Sequence, residues 1–208
     1  MLTLLDKFPS PIRAMLILTF FGIIGSALVA ISYAITAAQI QANERAVLTR
    51  NLAVLVPDSL HDNDLSNDTK QIANAQALGI ADPVTIYRAR QQGNPTAVVL
   101  NIVAPDGYSG NIYLLVAIAY DGTLLGVRTV SHQETPGLGD AIEERRSAWI
   151  LNFTGKSLTN PAENGWKVKR DGGTFDQFSG ATITPRAVVK AVHKALLFYR
   201  EEKAGLFD

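Results

Sequence analysis

An unbroken apolar stretch near the start of the chain sets its first boundary. Residues 14–38 carry no charge over 25 positions, which as a helix would reach about 37 Å at 1.5 Å per residue. The hydrocarbon core of a bilayer is about 30 Å thick, so this stretch crosses it with some tilt. A secretory leader has an apolar segment of only roughly 7–15 residues. A retained anchor is therefore expected, although Thr36, Ala37 and Ala38 have the small side chains of a cleavage site. Lys7 and Arg13 precede the span against Asp6 alone, and Glu44, Arg45 and Arg50 follow it. This weak bias favours a cytoplasmic N-terminus, with everything beyond the span on the other side. Gly22, Gly25 and Ser26 leave one helix face shallow enough for a partner helix, though glycine is common in such helices anyway.

Beyond the span the pattern changes twice. Residues 39–57 continue as a helix with apolar positions Ile40, Ala46, Leu48, Leu52 and Leu55, ending at Pro57. The polar run at residues 61–68 then reads as a surface loop. Strand-like segments follow at residues 84–87, 97–103, 112–120 and 124–130. Turns are expected at residues 105–108 and at Asp121-Gly122, the latter closing a hairpin. After a loop at 131–139, residues 141–152 are expected to be helical. The final helix has its apolar stripe on Ala187, Val188, Ala191, Val192, Ala195, Leu196 and Tyr199. Thr184 is expected to cap it, its oxygen directed at the Ala187 N–H, with Pro185 at the first helical position and Gly205 at the end. The pattern as a whole predicts an α+β protein: one N-terminal transmembrane helix, then an antiparallel sheet covered by helices. The boundaries expected are 1–13 for the cytoplasmic N-terminus, 14–38 for the transmembrane helix, 39–68 for a helical stalk and loop, and 69–208 for the folded domain.

Composition narrows the chemistry. The 208 residues include 19 basic and 19 acidic ones. No basic excess is left for nucleic acid. There is no cysteine, which removes disulfides, thiolate catalysis, cysteine-ligated zinc and ordinary iron–sulfur clusters. His61, His132 and His193 are far apart, with no pair at ligand spacing, so no metal site is expected. If this chain handles electrons, it does so with an organic cofactor. Trp149, Phe153 and Trp166 are expected in the core, His193 at or near the surface, and His132 as a turn cap.

Candidate chemistry concentrates just before the last helix, in Asp176-Gln177-Phe178-Ser179-Gly180-Ala181-Thr182-Ile183-Thr184-Pro185. Ser179, Gly180 and Ala181 are small enough to let another molecule approach the backbone. A helix start offers free N–H groups and the positive end of a dipole, a ready phosphate site. With Thr184 assigned to the cap, the Thr182 hydroxyl is left free to react. A second segment, His132-Gln133-Glu134-Thr135-Pro136-Gly137-Leu138-Gly139, has two glycines around Leu138. That leucine could press on an apolar ring while loop N–H groups bond its carbonyl oxygens; a tight turn packed on the sheet is the plainer alternative. No third glycine follows at the dinucleotide-fingerprint position, where Ile142 stands instead.

Both segments resemble the covalent FMN-binding domain family. The first matches its Asp-x-x-Ser-Gly-Ala-Thr flavinylation motif without departure, and the second its Glu-Thr-Pro-Gly-Leu-Gly loop. The family occurs in the G subunit of Rnf electron-transport complexes and in the longer C subunit of sodium-pumping NADH:quinone oxidoreductase. The chain's length and single span resemble the former. The resemblance implies one FMN joined by a phosphoester bond to Thr182, installed by a flavin transferase for which Asp176, Ser179, Gly180 and Ala181 are recognition positions. It also implies that Glu134, Thr135, Gly137, Leu138 and Gly139 belong to the cofactor site. By the same resemblance the chain relays electrons without catalysing alone, inside a bacterial inner-membrane translocase that couples electron transfer to ion movement. Its FMN domain would be periplasmic, and its partners would be flavin- and iron–sulfur-containing subunits. Two rivals are an anchored docking protein and a sensor holding FMN non-covalently or not at all.

Overall fold

A computed structural model describes residues 9–73, 75–80 and 83–208; Asp6 and Lys7, used above for orientation, lie outside them. The chain divides into two units, residues 1–48 and 49–208. Helix α1, Ser10–Leu55, runs 46 residues and is the one described helix long and apolar enough to cross a membrane. Within the first unit its large apolar side chains, from Ile12 to Ile35, are exposed.

The second unit is built on a five-stranded antiparallel meander in sequence order: β1 (Thr69–Ile72), β2 (Val84–Gln91), β3 (Asn94–Gly107), β4 (Gly110–Ala119) and β5 (Leu124–Ser131). Alternation along the strands sends Ile86, Val98, Leu100, Ile102, Leu114, Val116 and Val127 to one face. There they form a core with helix α2, Ile183–Phe207. The opposite face is also buried, with Val99, Leu115 and Ala117 at no more than 2% exposure. It is closed by Leu52, Leu55 and Val56: a Cβ added to Gly126 would lie 3.0 Å from Leu55 Cδ2. Burial on both faces explains why β3 and β4 read as nearly continuous apolar runs.

Several sequence expectations are corrected. Strand β1 falls in a polar segment that no apolar pattern marks. The hairpin between β2 and β3 turns on Gln92 and Gly93, both at positive φ, a signal short enough to be missed. Residues 141–152 are not one helix but two 3₁₀ turns, Gly139–Ile142 and Ala148–Phe153. The backbone becomes extended at Glu143, and the second turn starts afresh with the Ser147 hydroxyl accepting from the Trp149 N–H. This break places Trp149, Ile150 and Phe153 in the core, where Trp166 joins them as expected. His193 stacks on Trp166 at 5.2 Å between centroids, and its burial holds its pKa below the ordinary histidine value.

Helix α2 begins and ends differently from expectation. Thr182, not Thr184, is its N-cap, and Pro185 is its third residue. The helix also continues through Gly205, because Leu206 and Phe207 are buried and Phe207 packs on Tyr120. Its last carbonyls are satisfied by cations from the sheet: Lys70 Nζ donates to Gly205 O, Arg90 to Phe207 O and Arg88 to Asp208 O. Positive charge there also complements the helix dipole.

Candidate functional site

Three segments meet at the start of α2: the β3–β4 turn, the loop after β5, and the turn carrying Thr182. The last of these is clamped from behind. Phe178 packs edge-on against Trp149 at 5.0 Å, and Trp149 Nε1 donates to Asp176 O at 2.7 Å. Ala181 N then donates to Phe178 O at 3.3 Å, closing the turn. Gly180 sits at φ 79°, and a Cβ there would also stand 3.3 Å from Leu138 Cδ2. Left-handed backbone and close approach together call for glycine at this position. Thr182 follows, half-buried, with φ −80°, ψ −23° and no hydrogen bond from its side chain to the helix.

Thr184, two residues on, is fully buried and does not cap the helix. Its hydroxyl donates to Glu134 Oε2 in a short hydrogen bond. Glu134 is itself buried, and its Oε1 accepts the Ser109 N–H at 2.9 Å. Its own N–H donates to His132 Nδ1 at 3.1 Å, so the Nε2–H of His132 donates to Glu143 Oε1 at 2.8 Å. Glu143 also bonds Arg145; that guanidinium first, then His132, holds its carboxyl down to about 2. Glycines make room for this junction. A Cβ on Gly139 would lie 2.9 Å from Glu134 Cβ and 3.0 Å from Thr184 Oγ1, and one on Gly107 only 2.2 Å from Gly110 O.

The loop N–H groups expected to face a ligand are already used. Leu138 N and Gly139 N both donate to Thr135 O, and Gly137 N donates to Asp140 Oδ1. The amides of Gly137, Leu138 and Gly139 are thus committed within the turn. The free donors lie instead on the first turn of α2, where Ile183 and Thr184 have no intrahelical acceptor for their N–H groups.

These segments enclose a cavity of about 290 Å³ lined by Tyr108, Glu134, Thr135, Leu138, Gly139, Gly180, Ala181, Thr182, Ile183 and Thr184. Seven of the ten residues singled out from the sequence meet there. Gly137 shapes the turn behind it. Asp176 and Ser179 are not brought in: Asp176 points outward, ion-paired with Lys169 at 2.5 Å, and Ser179 is exposed. Sequence reasoning missed Tyr108 and Ile183, which with Leu138 are the exposed apolar side chains of the rim. A tyrosine in the turn Gly107-Tyr108-Ser109-Gly110, with no buried position to fill, was the available signal.

Two family descriptions match the chain: an FMN-binding domain over residues 107–197 and an RnfG N-terminal region over residues 9–55. The first contains every residue lining the cavity. Curated relatives, each named as the G subunit of an ion-translocating oxidoreductase complex, are similar over nearly the whole length. The Shewanella amazonensis protein is 47% identical, covering 96% of this chain and 93% of its own. One from Vibrio cholerae is 48% identical over 93% and 92%, and one from Pseudomonas aeruginosa 49% over 95% and 92%. The chain belongs to the family of G subunits of ion-translocating oxidoreductase complexes and carries that family's FMN-binding domain.

Proposed function

We propose that this chain is a membrane-anchored electron carrier whose FMN is bonded through its phosphate to the Thr182 hydroxyl. As a member of the G-subunit family it works within an ion-translocating oxidoreductase complex rather than alone. The observation that carries the covalent reading is the contrast between the two threonines. Thr184 is sealed into a buried hydrogen bond with Glu134, while Thr182 lines the cavity with its hydroxyl uncommitted.

The residues present fit the group. A phosphoryl group on Thr182 would lie at the start of α2, where the unpaired N–H groups and the dipole favour negative charge. Tyr108, Leu138 and Ile183 offer apolar surface for a flat ring. When bound, FMN supplies reversible electron uptake, and the protein's part is to fix, orient and tune it. Thr182 holds, the first turn of α2 neutralises, and the rim leaves one side of the cavity open to a neighbour. Asp176 and Ser179, exposed and outside the cavity, serve recognition by a flavin transferase rather than contact with FMN.

The remaining assignments belong to the same proposal. The chain is single-pass and anchored by residues 14–38, while the end of the stalk expected at 39–68 belongs to the folded unit that starts at residue 49. The domain of residues 69–208 faces the periplasm beside flavin- and iron–sulfur-containing subunits. The test is an intact-mass spectrum with peptide mapping of chain co-produced with a flavin transferase. A gain of one FMN less one water on the Thr182 peptide is expected. An unmodified chain, with the transferase active on a control, would return the docking or sensing reading.

A further inference from the structure

The inner wall of the cavity carries a carboxylate that no cation balances. Glu134 is 4% exposed, and its two oxygens accept from the Ser109 N–H and the Thr184 hydroxyl, both neutral donors. Among the described residues no lysine or arginine forms an ion pair with it. His132, the nearest titratable neighbour in sequence, accepts the Glu134 N–H on Nδ1 and turns its Nε2 away to Glu143. Asp140, also buried, accepts from Gly137 N and pairs with Arg146 at 3.4 Å, and Arg145 is bonded to Glu143. Buried carboxylates are ordinarily paired. Only the partial charge at the start of α2, where Thr184 is the second residue, offsets this one.

We infer that the Glu134 carboxylate is the group that holds the reduction potential of the bound flavin low. The inference rests on the proposed function. Electron uptake adds negative charge to the flavin, and a carboxylate on the cavity wall opposes it. Packing alone would not need the charge. A glutamine could accept from Ser109 N with its oxygen and donate to Thr184 Oγ1 with its amide.

The experiment uses the full flavinylated chain in detergent, comparing wild type with Glu134→Gln and Glu134→Asp by flavin load, midpoint potential and melting temperature. The Gln variant is expected to load and to melt near wild type, but to favour reduction at least tenfold more, about 30 mV for a two-electron couple. The Asp variant, shorter by a methylene, keeps the charge but cannot reach both donors. It is expected to melt lower while its midpoint stays near that of wild type. The reverse pattern, with Asp shifting the midpoint and Gln not, would assign Glu134 a packing role and overturn the inference. A Gln variant that takes no flavin would do the same, since the carboxylate would then serve attachment. A wild-type chain without flavin overturns the proposed function itself, whereas a loaded chain whose midpoint ignores the Gln substitution overturns the inference alone.

Discussion

Thr182 and Thr184 are chemically identical, two positions apart, and the fold gives them opposite tasks. Thr182→Ala removes no internal hydrogen bond, so its effect on stability is expected to stay within about 0.5 kcal/mol while covalent flavin disappears. Fluorescence of the denatured protein band reads the flavin, and urea unfolding reads the stability. Thr184→Val leaves a buried carboxylate one donor short, a loss of about 1–3 kcal/mol, visible in the same unfolding curve without any necessary loss of flavin. Thr182 stood out in the sequence because its motif is local, and the structure places it on the cavity with its hydroxyl free of internal bonds. The partner of Thr184 was not, because Glu134 lies 50 residues earlier and no spacing rule links a loop after one strand to a helix start. The same long-range closure escaped notice at Tyr108, which only the β3–β4 turn brings to the rim. Glu143 gives a residue-scale pH dependence. Its folded-state pKa is depressed to about 2 by Arg145 and His132, below its ordinary 4.5. Its contribution is therefore complete above about pH 4.5 and lost as pH falls toward 2. Denaturant titrations across that window should show a slope that Glu143→Gln reduces.

Helix α2 shows how far an element can depart from its own local signals. Its apolar stripe predicted the helix, and Pro185 correctly marked its first turn, yet both ends moved. At the start, the cap position fell on Thr182 because burial against Glu134 draws Thr184 into the helix. At the end, a glycine that would stop an isolated helix is overridden by the burial of Leu206 and Phe207 and by three cations from the sheet side. Arg90→Met removes the donor to Phe207 O and one of two arginines paired with Asp68. Faster hydrogen exchange in the last turn is the expected result, with the first turn unchanged. His193, on the same helix, works in the same pH sense as Glu143 but in a higher window. Burial depresses its pKa, so the unfolded chain binds its proton first and stability falls as pH drops below about 6.5. Replacing His193 with Phe should flatten that part of the profile. The mistaken helix at 141–152 has a related cause. Its apolar residues fit a helical period, but the core needed the aromatic cluster from a chain that breaks at Glu143.

At the scale of the molecule, the apolar content of β3 and β4 announced burial without saying by what. One cover is α2. The other is Leu52, Leu55 and Val56 at the end of α1, which sequence reading assigned to a stalk. A chain shortened to begin after Pro57 would uncover Val99, Leu115 and Ala117 and is expected to aggregate, whereas one beginning before Thr49 keeps both covers; size-exclusion chromatography of the pair distinguishes them. The unused hydroxyl at the head of α2 has a wider consequence. Since Thr182 contributes no internal bond, a substituent on its oxygen would displace none. Synthesis, folding and loading can therefore proceed in that order, and the supply of cofactor can lag behind the supply of chain without leaving unfolded polypeptide to be cleared.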